Sequence, residues 1–339
     1  MEHMLHGDLT ENDVVFYNTS PGWVMWNWVV TSLFVGGTLL IYDGSPIKPE
    51  PYVLWDICDK NCATVFGSGA AYYYMMEQKN IVPKNRCSFK NLRYFMSTGS
   101  YLPKASYSYL NQKVKKGIPI FSIAAATDII SSFAGHNLTL PVYSGEIQYP
   151  TLGMYIQCFD CDGKNVFDQF GELVCIKPFP SMPVFIMNDF DHTRYNDTYF
   201  SKYPHIWAQG DYCENNSRTG GIVISGRSDS TLNVNGVRIG SSEIYNVVEK
   251  IPEVIDSLCV SQDLGNGMER MILFVQHDVI EAMFPKLVDI IKQQILSCLS
   301  PRHLPSLILA VPRIPYTITG KKVEILVKKI ISKHTYSIN

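Results

Sequence analysis

Five short stretches put small, hydroxylated or charged residues where a phosphate or carboxylate can be met. "STGS" at 97–100 ends an apolar run with a glycine between hydroxyls. Gly99 permits close backbone approach, with Ser100 beside it, although an ordinary strand-to-helix turn uses the same residues. Thr127 and Asp128 close the run "SIAAATD". A hydroxyl beside a carboxylate can hold a phosphate oxygen and a Mg²⁺ ion, which takes only one or two carboxylates; the same pair can cap a helix. Asp211, in "WAQGDYCEN", is expected in a glycine-flanked turn. There it can accept both hydroxyls of a ribose or simply shape the turn.

The fourth stretch, "GRSDSTLNVNGVRIGSSEIY" at 226–245, carries Arg227 and Arg238 eleven positions apart. No single helix or strand face explains that spacing. The planar guanidinium fork suits phosphate and carboxylate, and two of them can converge on one anion if "SDSTLNVNG" folds back as a hairpin. Surface salt bridges are the competing explanation. The fifth, "IPYTITGKKVE" at 314–324, sets Lys321 directly after a glycine. A lysine so carried can bring a point charge to developing negative charge, or belong to a solvated basic tail.

Cys158 and Cys161 form a C-x-x-C, but "QCFDCDGKNVF" reads as a hairpin turning at Asp162-Gly163 rather than as a redox or zinc motif. The nine cysteines, an odd number spread over 339 residues, are expected to be reduced thiols. Phosphate-loop, serine-elbow, zinc-protease and dinucleotide-glycine motifs are absent, which removes support for the corresponding enzyme classes. A net charge of −2 without like-charge runs argues against nucleic acid or an anionic membrane surface, and for a small-molecule partner. The first residues, "MEHMLHGDLTEND", lack the layout of a signal peptide, so a cytosolic location is expected and the four glycosylation-type patterns carry little meaning. The most apolar window, Trp23 to Tyr42, is broken by Asn27, Thr31, Ser32 and Gly36-Gly37 and reads as a buried helix followed by a buried strand, not a bilayer span.

The elements that must position these groups follow from periodicity. Between 23 and 122 a helix at Trp26 to Phe34, the strand "TLLIYDG", a helix near 51–60, and the strands "ATVFGSG", "NLRYFMSTGS" and "IPIFSIAAATD" alternate. That pattern predicts a largely parallel α/β layer with ligands gathered at the carboxyl ends of its strands. From 140 to 225 shorter β runs with Gly, Pro and Asp punctuation predict a β-rich lobe. After Arg227, Ile244, Val247, Val248 and Ile251 mark one helical face. "DSLCVSQ" and "RMILFVQH" follow as strands, then a helix through Leu287, Ile290, Ile291 and Ile295, and a tail.

Taken in order, "GELVC" (171–175), "GD" (210–211), the 226–245 stretch and the terminal "TGK" (319–321) resemble the adenylate-forming ligases, the superfamily of acyl-CoA synthetases, luciferases and nonribosomal adenylation domains. Segments 22–46, 126–133 and 314–324 resemble the members that activate acetoacetate, and the likeness runs from Leu5 to Ile331. The resemblance implies an incomplete large α/β domain with a β-rich lobe at 1–226 and a small α+β C-terminal domain at 227–339. It also implies an enzyme that uses ATP, Mg²⁺ and coenzyme A. Gly99 and Ser100 would line the adenine pocket, Thr127 would contact phosphate, and Asp128 would serve the metal. Asp211 would hold the ribose, with Arg227 beside the nucleotide. Asp229 would be the hinge, Arg238 would meet nucleotide in one domain orientation, and Lys321 would be the adenylation lysine. Gly236 and Arg302 would face coenzyme A. Trp23 would wall the acyl pocket, and Ala125, where acetyl-activating relatives carry a tryptophan, would leave room for a four-carbon keto acid.

Two departures qualify that expectation. "AAA" at 124–126 stands where the family has glycines, and no phosphate loop of S-G-T-T-G-x-P-K character occurs in the chain. The likeness is therefore to about half of a family member, truncated at its N-terminal side. A fragment retaining only nucleotide or coenzyme A binding is the alternative expectation.

Overall fold

A computed structural model of the chain describes residues 2–228, 232–234, 237–263, 269–317 and 321–332, with backbone alone at 233–234, 237–238, 263 and 269. It divides into two compact units, Met1–Gln209 with Cys213–Ile224 and Gly210–Tyr212 with Ser225–Asn339.

In the first unit, β1 (Val14–Tyr17), α1 (Val24–Val30), β2 (Thr38–Leu40), α2 (Val53–Lys60), β3 (Val65–Gly69), α3 (Ala70–Gln78), β4 (Tyr94–Thr98), α4 (Lys104–Tyr109) and β5 (Ile120–Ser122) build a five-stranded sheet of order β2-β1-β3-β4-β5. Every pairing in it is parallel. Successive strand residues serve opposite faces, as the pleat requires. Phe16, Phe66, Phe95 and Ile120 join Trp55, Tyr73 and Met76 on the face covered by α2, α3 and α4. Val15, Val65, Tyr94, Met96 and Phe121 join Met25, Trp28 and Val29 of α1 on the other. The helix expected over Trp26 to Phe34 starts earlier, and it tightens into a 3₁₀ turn at Thr31–Val35. The Thr31 hydroxyl bonds back to the Trp28 carbonyl at 2.7 Å, competing with helical pairing, and Gly36 ends the turn at φ 78°.

The run "IPIFSIAAATD", expected as one strand, is two. The Ile123 amide bonds to Ser97 O at 2.9 Å and its carbonyl accepts from Thr98 Oγ1 at 2.9 Å, so the end of β4 consumes its backbone groups. The chain then leaves the parallel sheet as β6 (Ala124–Ala126), which pairs antiparallel with β7 (Ser131–Gly135), itself paired with β8 (Tyr149–Pro150). The β-rich lobe follows as β9 (Ile156–Phe159), β10 (Phe170–Cys175), α5 (Thr193–Tyr199), β11 (Trp207–Asn215) and β12 (Ile222–Arg227), in sheet order β12-β11-β10-β9. The hairpin at Asp162-Gly163 is present, with Asp160 N donating to Lys164 O at 3.0 Å and Gly163 at φ 76°. Cys158 is buried and donates to Cys213 O at 3.1 Å, while Cys161 is exposed; all nine cysteines are free thiols.

The second unit contains the hairpin β13 (Leu232–Val234) and β14 (Val237–Ile239), α6 (Ser241–Val248), β15 (Val254–Asp263), β16 (Glu269–His277), α7 (Phe284–Cys298), β17 (Leu307–Ala310) and α8 (Glu324–Ile331). Ile244, Val248 and Ile251 are buried as the spacing predicts, against Leu287, Ile291 and Ile295 of α7. The expected tail is instead structured. β17 adds in parallel to β16, and Val327 and Ile331 of α8 pack on Leu258, Val260 and Ile314. Among the described residues no helix is long and apolar enough to cross a membrane.

The segment before β1 is stitched in by polar groups that periodicity does not reveal. Glu2 accepts from Trp28 Nε1 at 2.7 Å and from the Ser132 amide at 3.1 Å, and also from the Ser131 hydroxyl. His6 accepts the Leu152 amide at Nε2 (3.0 Å), so its Nδ1–H donates to His136 O at 2.7 Å. Burial, reinforced by His6 and His3, pushes His136 down to about 3. Because that folded value lies below the ordinary one, the stability linked to neutral His136 is whole above roughly pH 6.5 and is lost as pH falls toward the folded value. Unfolding free energies measured from pH 7 to pH 4 should therefore decline with a slope that His136→Phe flattens by up to about 1.4 kcal/mol per pH unit. Equal slopes in the two proteins would contradict this assignment.

Candidate active site

In the first unit the sequence-predicted residues gather at the carboxyl ends of β4 and β5, where parallel strands run out of ladder partners. Gly99 follows β4 with φ 91°, a left-handed conformation that suits glycine, and a Cβ built there would stand 3.7 Å from Trp23 Cζ3. The indole before α1 thus lies against the glycine of "STGS". Ser100 is exposed beyond it. Ala125 packs with the cluster of Met25, Trp28 and Val29, whereas Ala124 and Ala126 turn to the core of the β-rich lobe. The three alanines form strand β6, and none has a positive φ; the left-handed residue in this region is Ile130, at φ 45°.

Thr127 and Asp128 are exposed in the turn between β6 and β7, so neither caps a helix. Asp128 Oδ2 accepts from Tyr199 OH at 2.8 Å and makes no other hydrogen bond or ion pair among the described residues. Tyr199 ends α5 and stacks on Trp207, ring centroids 3.7 Å apart and planes at 12°. Burial, then the Asp128 carboxylate, push the phenol pKa up, so the phenol stays protonated and donates. Among the described residues no three His, Cys, Asp or Glu side chains gather around a metal position. A single exposed carboxylate beside a hydroxyl fits Mg²⁺, which takes its other ligands from water and phosphate.

In the second unit Asp211 lies within strand β11 rather than in the expected turn, although Gly210 before it has φ 85°; Arg227 Nη1 stands 3.3 Å from Asp211 Oδ1, and Ser228 N donates to Gly210 O at 2.7 Å. Leu232–Val234 and Val237–Ile239 pair antiparallel, with Asn233 opposite Arg238, but the Arg238 side chain, Asp229 and Gly236 lie outside the described residues. Arg302 is exposed in a 3₁₀ turn; the next residue, His303, is tied to Ser300 at 2.9 Å and to Glu243 at 3.3 Å.

Lys321 is exposed, its amide bonded to Thr317 Oγ1 at 3.0 Å and its carbonyl to Thr317 N at 2.8 Å. Its neighbour has the opposite fate. Lys322 Nζ lies 2.7 Å from Asp256 Oδ1 and 4.1 Å from the Tyr245 ring centroid, and it also bonds Glu249 and the Ser257 carbonyl. Tyr316 OH adds a 2.7 Å bond to Asp256 Oδ2. One lysine of the pair is an anchor and the other is presented to solvent. Sequence reasoning missed Tyr199, Glu2 and Lys322 because each acts through partners more than sixty residues away or, for Glu2, more than twenty.

The fold is that of the adenylate-forming CoA ligases: a benzoate CoA ligase from Burkholderia xenovorans LB400 superposes with TM-score 0.74 at 22% identity, covering 96% of this chain and 63% of that one. No family model matches the chain. Acetoacetyl-CoA synthetase of Gallus gallus is 50% identical over 331 residues, 98% of this chain and 50% of that protein. The structure of acetoacetyl-CoA synthetase from Streptomyces lividans superposes with TM-score 0.89 at 40% identity, covering 97% of this chain and 50% of that one. The chain is homologous to the acetoacetyl-CoA synthetases along nearly its whole length, and spans about half the length of the curated relatives it matches.

Removing Lys322 leaves two carboxylates without their shared cation. Lys322→Met should destabilise the second unit by about 1–3 kcal/mol, the cost of leaving half-buried polar partners unsatisfied, whereas Lys321→Ala should stay within about 0.5 kcal/mol of the parent, as an exposed change does. Thermal unfolding of the two variants distinguishes the roles; equal loss in both would refute them.

Proposed function

We propose that the chain carries acetoacetate–CoA ligase chemistry. The acetoacetate carboxylate attacks the α-phosphorus of ATP, pyrophosphate leaves, and the coenzyme A thiol then displaces AMP from the acyl-adenylate. The observation that supports this most strongly is 50% identity to the Gallus gallus enzyme across 98% of the chain. In this reading Gly99 and Ser100 border adenine, and Asp211 takes the ribose hydroxyls with Arg227 beside the nucleotide. Thr127 meets phosphate and Asp128 holds Mg²⁺, which when bound would neutralise phosphate charge. Arg238 joins the nucleotide in one orientation of residues 227–339, which turn about Asp229 as a small mobile domain. Lys321 brings its charge to the adenylation step, while Gly236 and Arg302 serve coenzyme A. The free thiols agree with a reducing, cytosolic setting.

Trp23 and Ala125 form the acyl pocket. The approach of Trp23 to Gly99, and the presence of Ala125 in the α1 cluster, support a short keto acid lying between adenine and that helix.

Pyrophosphate release from the folded chain with ATP, Mg²⁺ and acetoacetate tests the proposal directly. Release should exceed background and fall about 10²- to 10³-fold in Lys321→Ala, the scale of losing one group that stabilises transition-state charge. A well-folded sample without release would end the reading for this chain. Ala125→Trp should shift kcat/KM toward acetate over acetoacetate by about tenfold or more, since a pocket discriminates methylene-sized differences on that scale. An unchanged ratio would remove Ala125 from the specificity assignment.

A further inference from the structure

We propose that Tyr199 is a positioning residue for the Asp128 carboxylate, presenting it to a nucleotide-bound divalent cation. The inference rests on the assignment of Asp128 as a metal-binding group. Asp128 lies in the exposed turn between β6 and β7, and its described contact is the 2.8 Å bond from Tyr199 OH to Oδ2. An exposed aspartate otherwise samples several rotamers, so a metal would have to order it at the moment of binding. Tyr199 supplies that order in advance. Its ring is 5% exposed, stacks on Trp207 at 3.7 Å and meets Tyr195 at 5.4 Å, so the hydroxyl is held rigidly by aromatic packing.

The grip is also directional. With Oδ2 engaged by the phenol, Oδ1 is left to face a cation, the single-carboxylate mode in which Mg²⁺ is bound alongside phosphate oxygens. Outer partners of this kind orient ligating carboxylates and typically alter metal affinity by about 10- to 100-fold when removed. Tyr199 comes from the β-rich lobe and Asp128 from the strand pair leaving the parallel sheet. The bond therefore lets α5 set the aim of a group more than seventy positions upstream.

Tyr199→Phe tests this cleanly because it keeps the ring that stacks on Trp207 and deletes only the hydroxyl. The readout is Mn²⁺ affinity in the presence of ATP, followed by electron paramagnetic resonance on the full chain. Metal-free ATP binding by calorimetry and the near-ultraviolet dichroism of the aromatic stack serve as companions, with Asp128→Asn as reference. Tyr199→Phe should weaken Mn²⁺ binding by about tenfold while metal-free ATP binding and the aromatic dichroism stay unchanged. If Asp128→Asn weakens Mn²⁺ binding and Tyr199→Phe does not, the positioning role is overturned while the metal assignment stands. If Asp128→Asn binds Mn²⁺ like the parent, or the parent binds none, both are overturned. A loss of metal-free ATP binding or of the aromatic signal in Tyr199→Phe would assign the hydroxyl a general structural role and likewise overturn the proposal.

Discussion

A parallel sheet buried on both faces is the constraint from which the remaining features follow. Strands β1, β3, β4 and β5 have no solvent-facing side, so their residues alternate between two apolar clusters and leave polar chemistry only at the strand ends. At the carboxyl ends the ladder stops while buried amides and carbonyls continue, and these need partners. Thr98 and Ser97 meet that need by bonding the backbone of Ile123. With the Ile123 carbonyl taken by a side chain, backbone pairing stops and the chain leaves the sheet at Ala124. The β6–β7 turn with Thr127 and Asp128 therefore arises from the same hydrogen-bond accounting that makes Gly99 and Ser100 a strand end.

Polar side chains then fix how the elements around that end are held. Glu2 ties the indole of Trp28 in α1 to the backbone at Ser132. The helix that follows Trp23 and the strand that follows Asp128 share one carboxylate. In the second unit Lys322 does comparable work, drawing Glu249, Asp256 and the Tyr245 face around one ammonium so that the adjacent Lys321 stays exposed. Charges with several partners in partly buried positions specify geometry more than they add stability.

Much of the architecture was legible in periodicity. The helical face of Ile244, Val248 and Ile251, the apolar run of β4, and the Asp162-Gly163 hairpin are local patterns whose energetics are decided by neighbours in sequence. The split of "IPIFSIAAATD" was not legible, because the competitor for Ile123 is the end of another strand. The structured C-terminal segment was missed for a similar reason. β17 is short and half exposed, and it is a strand only because β16 offers it an edge.

For the candidate site, residue types and their order along the chain were enough to single out Gly99, Thr127, Asp128, Asp211, Arg227 and Lys321, since glycine, hydroxyl, carboxylate, guanidinium and ammonium each have limited chemical uses. Their neighbours in space belong to the fold. Tyr199 reaching Asp128, Trp23 lying on Gly99, and the division of Lys321 from Lys322 all join residues far apart in the chain. Residue identity sets what a group can bond to, but which partner it meets depends on chain-distant packing, where burial rather than sequence adjacency determines which polar contacts must be made.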